Sequence, residues 1–331
     1  MGTPDSPRIA LVTTARKAPP WYRTVFTLDN GFRGLMTLAA LCVLGIVGLI
    51  VSELMQRSSL AWHAFGLKFF VGSQWDPVSG SFGAVPFLYG TLVSSLIALV
   101  IAVPLAVAVA VFVTEMCPKP LRKPIAYSTE LLAAIPSVIY GLWAMFVLVP
   151  LFRVYVEPWC MKYLGWSGLF EGPPFGIGML TAGTVLAIMI IPIISSITRE
   201  VLSVVPQHQR EAALALGATR WEMIRVAVLS NARAGIVGAI ILGLGRALGE
   251  TIAVTMVIGN TPQLAKSLLA PGYTMASVIA NEFAEAPDDL YRSALMEVGL
   301  ALFLVTILVN ILAGLMVWTV TRGNPARSHA Q

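Results

Sequence analysis

The amino-acid sequence predicts an all-α integral membrane protein with about six transmembrane helices. Of its 331 residues, 57% are apolar and 12% are charged, and the mean hydropathy is +0.79. A soluble globular domain carries about 25% charged residues, so this composition excludes an ordinary water-soluble enzyme. In addition, six apolar runs reach the roughly 20 residues that a helix needs to cross the hydrocarbon core of a bilayer.

The six predicted spans follow one another along the chain at 34–54, 89–114, 125–152, 177–198, 233–259 and 294–320. The longest remaining segments hold roughly 30 residues each, which is fewer than an independent soluble domain needs. We therefore expect a transmembrane domain over 34–321, preceded by a basic cytoplasmic tail over 1–33 and followed by a cytoplasmic tail over 322–331. The first run is longer than the core of a signal peptide, so it should remain as a membrane anchor.

The basic residues predict the orientation of these spans. Lys and Arg number fifteen in the two tails and the loops 115–124 and 199–233, but only six in the alternating loops 57–87, 153–175 and 261–293. Because loops rich in Lys and Arg stay on the cytoplasmic side, both termini should be cytoplasmic. We expect no nucleic-acid partner, since a basic surface for DNA would not alternate with membrane topology.

Several spans contain residues that a simple anchor does not need. Proline removes a backbone donor and kinks a helix, and prolines occur within the second, third and fourth spans at Pro104, Pro136 and Pro192. Small residues recur every four positions in the fifth span at Gly235, Ala239 and Gly243, and a GxxxG motif follows at 245–249. Small residues at this spacing let helix backbones approach closely. The fifth span should therefore be the most enclosed helix of the bundle.

The fifth span also carries Arg246 and Glu250, spaced i,i+4 so that both side chains lie on one helix face. Neither charge belongs against lipid, and two interpretations are open. The pair either fixes helix packing, or the guanidinium meets an oxyanion in a pathway through the membrane, together with Thr251 and Thr255. Two other carboxylates, Glu130 and Glu297, lie nearer span ends, where contact with solvent explains them equally well.

The loop between the fourth and fifth spans predicts a short helix, a turn and a second helix. Pro206 suits the first turn of a helix, and Gly217 suits a left-handed helix end. Thr219 and Glu222 have the spacing of a capping box that starts the next helix. A short surface helix with Ala212, Ala213, Leu214 and Leu216 predicts a knob for the groove of a partner, although a helix lying on the membrane would have a similar pattern.

This loop, at about 200–229, carries a resemblance to the EAA loop of ABC importer membrane subunits. The matching pattern is Glu211-Ala-Ala-x3-Gly217, and the resemblance implies a coupling helix that docks into the ATP-hydrolysing subunit through Arg210, Glu211, Ala212, Ala213, Leu214 and Gly217. The family pattern continues with Ile-x-Leu-Pro, where this chain has Ala227, Val228, Leu229 and Ser230. This departure concerns the turn before the fifth span rather than the coupling helix.

Longer motifs resemble the permeases of phosphate importers in particular. These are WDP at 75–77, FGAVPFLYGT at 82–91, ELLAAIPSVIYG at 130–141, IPIISS at 191–196 and GRALGET at 245–251. The outer loop at 57–87 is more similar to the PstC type of subunit than to its PstA partner. The resemblance implies an ABC importer type I permease fold in a bacterial inner membrane. It further implies a heterodimer with a second permease, two ATP-binding subunits and a periplasmic phosphate-binding protein.

Other functions remain to be weighed against this resemblance. The sequence has no GxxxxGK[ST] phosphate loop, so the chain should hydrolyse no ATP itself. Its three cysteines, Cys42, Cys117 and Cys160, have no metal-site spacing, and we expect neither a metal nor a cofactor. A membrane hydrolase with Ser167 as nucleophile would need a histidine in a span, and none is predicted there.

Two kinds of transporter also remain as alternatives. A secondary transporter could use broken helices and a buried ion pair, but we see no inverted repeat of three spans plus three. The closest alternative is a permease for another oxyanion, sulfate or molybdate, which residue chemistry alone does not separate from phosphate.

Overall fold

The structure is a computed structural model that describes residues 21–322, with side chains described for 30–318. In this part of the chain every regular element is a helix, and the only β-type pairing is an isolated bridge between Asp76 and Ser81. The predicted all-α class is confirmed. Six of the described helical stretches are long and apolar enough to cross a membrane, as predicted: Asn30–Arg57, Val85–Met116, Ser137–Ser167, Met179–Ser203, Arg220–Leu248 and Asp289–Trp318.

The helices divide into two units, one ending at Glu53 and the other beginning at Leu54. The first unit contains most of helix α1 (Trp21–Arg57), whose described apolar side chains, such as Leu44 and Leu49, are exposed. A helix exposed in this way suits a lipid environment. In the second unit, the short helices α2 (Ser59–Phe65) and α3 (Lys68–Val71) lead to the next span.

The chain breaks at the proline predicted for the third span, whereas the helix of the second span runs through its own proline. Helix α4 (Val85–Val111) contains Pro104 and continues into a π-helical turn, Phe112–Met116. Helix α5 (Lys119–Ala134) is followed by Ile135 and Pro136, which have ψ angles of 128° and 141°, and α6 (Ser137–Trp143) begins after them. The predicted bounds 125–152 were therefore wrong: the chain breaks at Pro136, and the stretch long enough to cross a membrane is Ser137–Ser167. Proline causes the break because it lacks a backbone N–H donor and disfavours a helical residue before it.

The rest of the third span and the fourth complete this half of the bundle. After a π-helical turn (Ala144–Leu148) come α7 (Val149–Leu151), a second π-helical turn (Phe152–Val156), α8 (Glu157–Leu164) and a 3₁₀ turn (Gly165–Ser167). Within that turn, the Ser167 hydroxyl donates to the Leu164 carbonyl at 2.7 Å, which fits a turn residue better than a nucleophile. Helix α9 (Met179–Ser203), which contains Pro192, is the fourth span.

The second half of the bundle begins with the short helix α10 (Gln207–Ala215) and continues through α11 (Arg220–Met223), a π-helical turn (Ile224–Leu229) and α12 (Ser230–Leu248). The remaining helices are α13 (Ile252–Thr255), α14 (Met275–Glu282) and α15 (Asp289–Arg322). We call α10 the coupling helix and its end of the bundle the coupling end. The opposite end, where α9 begins, is the far end.

Helix α9, rather than the fifth span, is the most enclosed of the spans. In its most apolar stretch 61% of the residues are buried, against 28% for Arg220–Leu248. The predicted small stripe of the fifth span does pack closely: a Cβ at Gly235 would lie 2.4 Å from Val201 on α9. The GxxxG pair does not, because a Cβ at Gly245 would meet no atom within 4 Å in the part of the chain described. The prediction that the fifth span is the most enclosed helix was wrong, because the spacing of small residues identifies one face of a helix but not the helices that pack against it.

An aromatic cluster folds the far end. The Trp75 ring packs edge-on against Phe82 and Phe87, with centroids 4.8 and 4.7 Å away. The Trp75 indole donates to a Glu282 oxygen at 2.9 Å, and the Tyr291 hydroxyl donates to the same oxygen. The segment that contains the WDP motif is therefore a packed cap that joins the start of α4 to α14 and α15.

Glu297 on α15 is fully buried, so the expectation that it contacts solvent was wrong. Its side chain lies on the helix face that carries Ala294, Val298 and Ala301, all members of a buried apolar cluster. Neither carboxyl oxygen has a hydrogen-bond partner among the described residues. Glu130, in contrast, is half exposed and pairs with Arg199 at 2.6 Å.

Candidate functional site

The fifth span breaks at the level of the bundle's interior. Helix α12 ends at Leu248, and the chain resumes helical form only at Ile252. A Cβ at Gly243 would touch Ile194 near the middle of α9, and Arg246 lies about 4.5 Å farther along the axis. The predicted continuous helix over 233–259 was therefore wrong beyond residue 248.

The segment after the break runs to the far end through protein rather than along its surface. The Gly178 N–H, just before α9, donates to the Val257 carbonyl at 3.0 Å. Helix α6 lies directly against α13, because a Cβ at Gly141 would come within 3.0 Å of the Ala253 Cα. Irregular backbone at membrane depth is tolerated where protein or a water-filled cavity surrounds it. The break consequently lies between the middle of α9 and its far end.

Arg246 and Glu250 form an ion pair across this break. The Arg246 Nη2 lies 3.6 Å from a Glu250 oxygen, and the two side chains are 47% and 5% exposed. The other Glu250 oxygen accepts a long hydrogen bond from the Ala253 N–H at 3.4 Å, at the start of α13. Because Glu250 follows the helix end, the pair does not share a helix face as expected. The carboxylate is held by protein, whereas the Arg246 side chain is about half exposed.

The two threonines lie in the same segment, and each hydroxyl donates a hydrogen bond to a nearby backbone carbonyl. The Thr255 hydroxyl donates to the Thr251 carbonyl at 2.7 Å, and the Thr251 hydroxyl donates to the Gly249 carbonyl at 3.3 Å. Each hydroxyl oxygen can still accept a hydrogen bond. The structure thus brings all four predicted residues to one break, where Arg246 is the exposed charged donor.

The coupling helix has the predicted boundaries at both ends. Pro206, with ψ of 141°, precedes its first turn, and Gly217 has a φ of 85° after its last. The Gly217 and Ala218 N–H groups donate to the Leu214 and Ala213 carbonyls at 3.0 and 3.2 Å. This is the Schellman arrangement, in which glycine supplies the left-handed residue. The direction in which the chain leaves the coupling helix is thereby fixed by backbone geometry.

The next helix begins at the predicted capping box. The Glu222 N–H donates to the Thr219 hydroxyl, while the Thr219 N–H donates to the Glu222 carboxylate at 2.8 Å. This reciprocal pair satisfies the free donors at a helix start. The predicted helix, turn and helix are confirmed, and the second helix continues through α11 into α12.

The predicted coupling residues divide between two faces. Arg210 and Ala213 face the bundle, and Ala213 packs against a buried cluster that includes Val205 and Ala227. Glu211, Ala212, Leu214 and Gly217 are exposed, as is Leu216 at the helix end, which is 90% exposed. Apolar side chains in such a position are typical of a surface that a partner covers.

Glu115 is a site residue that the sequence analysis missed. Its side chain is only 7% exposed and lies 2.9 Å from the Arg210 guanidinium, although 95 residues separate the two in the chain. A lone acidic residue at the end of an apolar span was the only signal in the sequence. That signal did not identify the partner, because distant pairing is decided by how the helices pack.

At the far end, two titratable groups outside the spans have shifted pKa values. Hydrogen bonds from the Ser79 side chain and the Val78 N–H lower the pKa of the Asp76 carboxyl. Burial raises the pKa of the Tyr273 hydroxyl, which accepts a hydrogen bond from Asn281 at 2.8 Å. Asp76 is therefore a fixed negative charge on the exposed loop, and Tyr273 is a neutral part of the cap.

Comparison with known protein families identifies one match along most of the chain. Residues 102–321 match the family described as binding-protein-dependent transport system inner membrane component. The curated relatives include a phosphate transport system permease protein PstC of Mesorhizobium japonicum, which is 46% identical over 87% of this chain and 89% of its own length. A PstC protein of Haemophilus influenzae is 46% identical over 93% and 97%.

Solved structures show a similar fold at low sequence identity. The chain is similar to a bacterial ABC transporter involved in the import of the acidic polysaccharide alginate. The identity is 16% and the TM-score 0.58, with 89% of this chain and 99% of the other covered. It is also similar to an inward-facing MetNI methionine ABC transporter, with an identity of 20%, a TM-score of 0.50, and 72% and 94% covered. At these identities the likeness concerns the fold, which is that of an ABC importer permease.

Proposed function

Because the chain belongs to the family of binding-protein-dependent transport system inner membrane components, we propose that it forms half of the pathway through which an ATP-driven importer carries inorganic phosphate. The chain is a multi-pass inner-membrane subunit and not itself the enzyme. Phosphate is favoured as the substrate because the relatives named PstC match at 46% identity over most of both chains.

The partners follow from what this chain presents. The coupling helix carries exposed apolar residues, Leu214 and Leu216, that fit a cleft of an ATP-binding subunit. One chain supplies one such helix, so two ATP-binding subunits require a second permease. The resemblance to PstC-type subunits favours a homologous partner, and therefore a heterodimer, over a second copy of this chain. A periplasmic phosphate-binding protein would meet the far end. In this arrangement closure of the nucleotide sites rocks the membrane helices.

The pathway role rests on the open guanidinium of Arg246. It lies at a helix break within the bundle, is 47% exposed, and stands 3.6 Å from its carboxylate instead of in a tight two-pronged pair. A guanidinium can bind two oxygens of an oxyanion side by side. Glu250, which is nearly buried, would orient Arg246 and keep it from holding a phosphate too strongly. Thr251 and Thr255 would accept hydrogen bonds from a protonated phosphate.

The experiment that tests this function is uptake of radiolabelled phosphate by cells that lack the gene, with and without a plasmid that restores it. Sulfate and molybdate uptake are measured in the same cells. We expect restored phosphate uptake with no change for the other two oxyanions. Restoration of sulfate or molybdate uptake instead would contradict phosphate as the substrate and support the alternative oxyanion.

A further inference from the structure

A single guanidinium joins the coupling helix to two membrane spans. Arg210 on α10 donates through Nη2 and Nε to one Glu115 oxygen, at 2.9 and 3.3 Å. The same Nη2 donates to the Leu202 carbonyl at 3.0 Å, and Nη1 donates to the Val205 carbonyl. Glu115 lies in the π-helical turn that ends the second span. Leu202 lies in the last turn of α9, the fourth span, and Val205 lies two residues beyond its end.

The physical setting makes this joint strong. The Arg210 and Glu115 side chains are 13% and 7% exposed, and breaking a buried pair by removing one partner leaves a charge uncompensated. The guanidinium also lies at the C-terminal end of α9, where free carbonyls and the helix dipole favour a cation. Arg210 thus satisfies helix-end carbonyls and a carboxylate together, which a surface ion pair does not do.

A second contact ties the coupling helix to the fifth span. Gln209, which precedes Arg210 on α10, accepts a hydrogen bond from the Asn231 side chain at 2.8 Å. Asn231 lies in the first turn of α12 and also donates to the Ala227 carbonyl at 2.6 Å. Adjacent residues of the coupling helix therefore hold the second, fourth and fifth spans, and α12 leads directly to Arg246.

We propose that Glu115 is a positioning residue which, through Arg210, locks the coupling helix to the ends of the second and fourth spans, so that movement of this helix moves those spans as one body. This inference rests on the proposed function, because it assumes that an ATP-binding subunit moves the coupling helix. Without the joint, the coupling helix can still dock but pivots against the bundle, and ATP hydrolysis is no longer linked to transport.

The test compares two ion pairs in the purified complex of both permeases and the ATP-binding subunits. Glu115→Ala removes the carboxylate that links Arg210 to the second span and leaves Arg210 bonded only to the Leu202 and Val205 carbonyls. Glu130→Ala removes the pair with Arg199, which joins α5 to α9 without contacting the coupling helix. Basal ATP hydrolysis and its stimulation by phosphate-loaded binding protein are measured for each. We expect Glu115→Ala to keep basal hydrolysis but lose stimulation by about fivefold or more, the scale of a coupling between sites.

Glu115→Gln serves as the conservative variant, because its amide oxygen still accepts from Arg210. It should recover part of the stimulation and remains informative if the alanine variant fails to assemble. Equal losses of stimulation in Glu115→Ala and Glu130→Ala would overturn the proposal. So would a parallel fall in basal and stimulated hydrolysis, which indicates a purely structural role.

A second measurement separates failure of this proposal from failure of the proposed function. Hydrogen exchange of the α10 backbone amides in the assembled complex needs no substrate. Exchange should rise in Glu115→Ala and stay unchanged in Glu130→Ala. If phosphate-loaded binding protein does not stimulate the unmodified complex, the proposed function is contradicted. The exchange result alone then shows whether Glu115 holds the coupling helix to the bundle. Unchanged exchange in Glu115→Ala would overturn the proposal.

Discussion

At the scale of single residues, the role of each arginine depends on how many of its N–H donors are already bound to protein. Arg210 and Arg246 are the same side chain in opposite settings. Arg210 is nearly buried and makes contacts to a carboxylate and two carbonyls, whereas Arg246 is half exposed and 3.6 Å from its single carboxylate. Arg210 makes four hydrogen bonds to protein, and a guanidinium bound in this way is suited to hold helices together. One with open donors is suited to meet an anion.

Arg246→Gln should therefore reduce phosphate uptake by about 10- to 100-fold, since hydrogen bonds to charged groups contribute about 1.5–3 kcal/mol. Assembly should persist, because the ion pair is long at 3.6 Å and Glu250 keeps its hydrogen bond from the Ala253 N–H. Uptake and complex yield are measured together. The decisive variant is Arg246→Gln combined with Glu250→Gln, which leaves no buried charge unpaired. Near-normal uptake in this double variant would show that Arg246 and Glu250 serve only in helix packing.

Gly217 ends the coupling helix through its backbone conformation alone. Its φ is 85°, and a Cβ there would meet no described atom within 4 Å. Gly217→Val should thus cost about 1–2 kcal/mol by backbone strain without a clash. We expect weaker co-purification with the ATP-binding subunit. Gly217→Asn is the matched control, because asparagine tolerates the left-handed region. Equal binding by the valine and asparagine variants would rule out this role.

At the scale of elements, small residues determine which helices touch. Gly235 and Gly238 lie one turn apart on α12, yet a Cβ at Gly235 would lie 2.4 Å from the Val201 side chain and a Cβ at Gly238 would meet nothing described within 4 Å. Val201 is β-branched and stiff at χ1, so it cannot move aside easily. The contact between α12 and α9 therefore depends on Gly235 and not on glycine content in general.

This pair gives a prediction about packing. Gly235→Ala should destabilise the bundle by about 1–3 kcal/mol through overpacking. Gly238→Ala should be neutral or stabilising by up to about 1 kcal/mol, because alanine is the better helix former. Thermal unfolding of the purified protein in detergent measures both. A lower midpoint for Gly238→Ala than for Gly235→Ala would contradict the packing of α12 against α9.

At the scale of the whole molecule, the six spans and the charge distribution fix a topology that remains a prediction. A cysteine at Val78, which is 97% exposed on the loop before α4, should react with a membrane-impermeant maleimide in intact cells once the three native cysteines are replaced. A reporter fused after Thr321 should behave as cytoplasmic. Reaction of the Val78→Cys variant only after lysis would reverse the orientation and place the coupling helix outside.

The sequence by itself determined the local features of the fold. These are the six spans, the two helices and the turn between them at the coupling loop, and the residues that cap those helices. These follow from local physics, since apolar length, a left-handed glycine at Gly217 and a capping box at Thr219 depend on neighbours within a few residues. Only the tertiary structure decided where α12 ends, that α9 is the enclosed span, that Glu297 is buried, and that Glu115 meets Arg210. Those outcomes depend on contacts between segments far apart in the chain, and spacing within one helix specifies a face without specifying what packs against it.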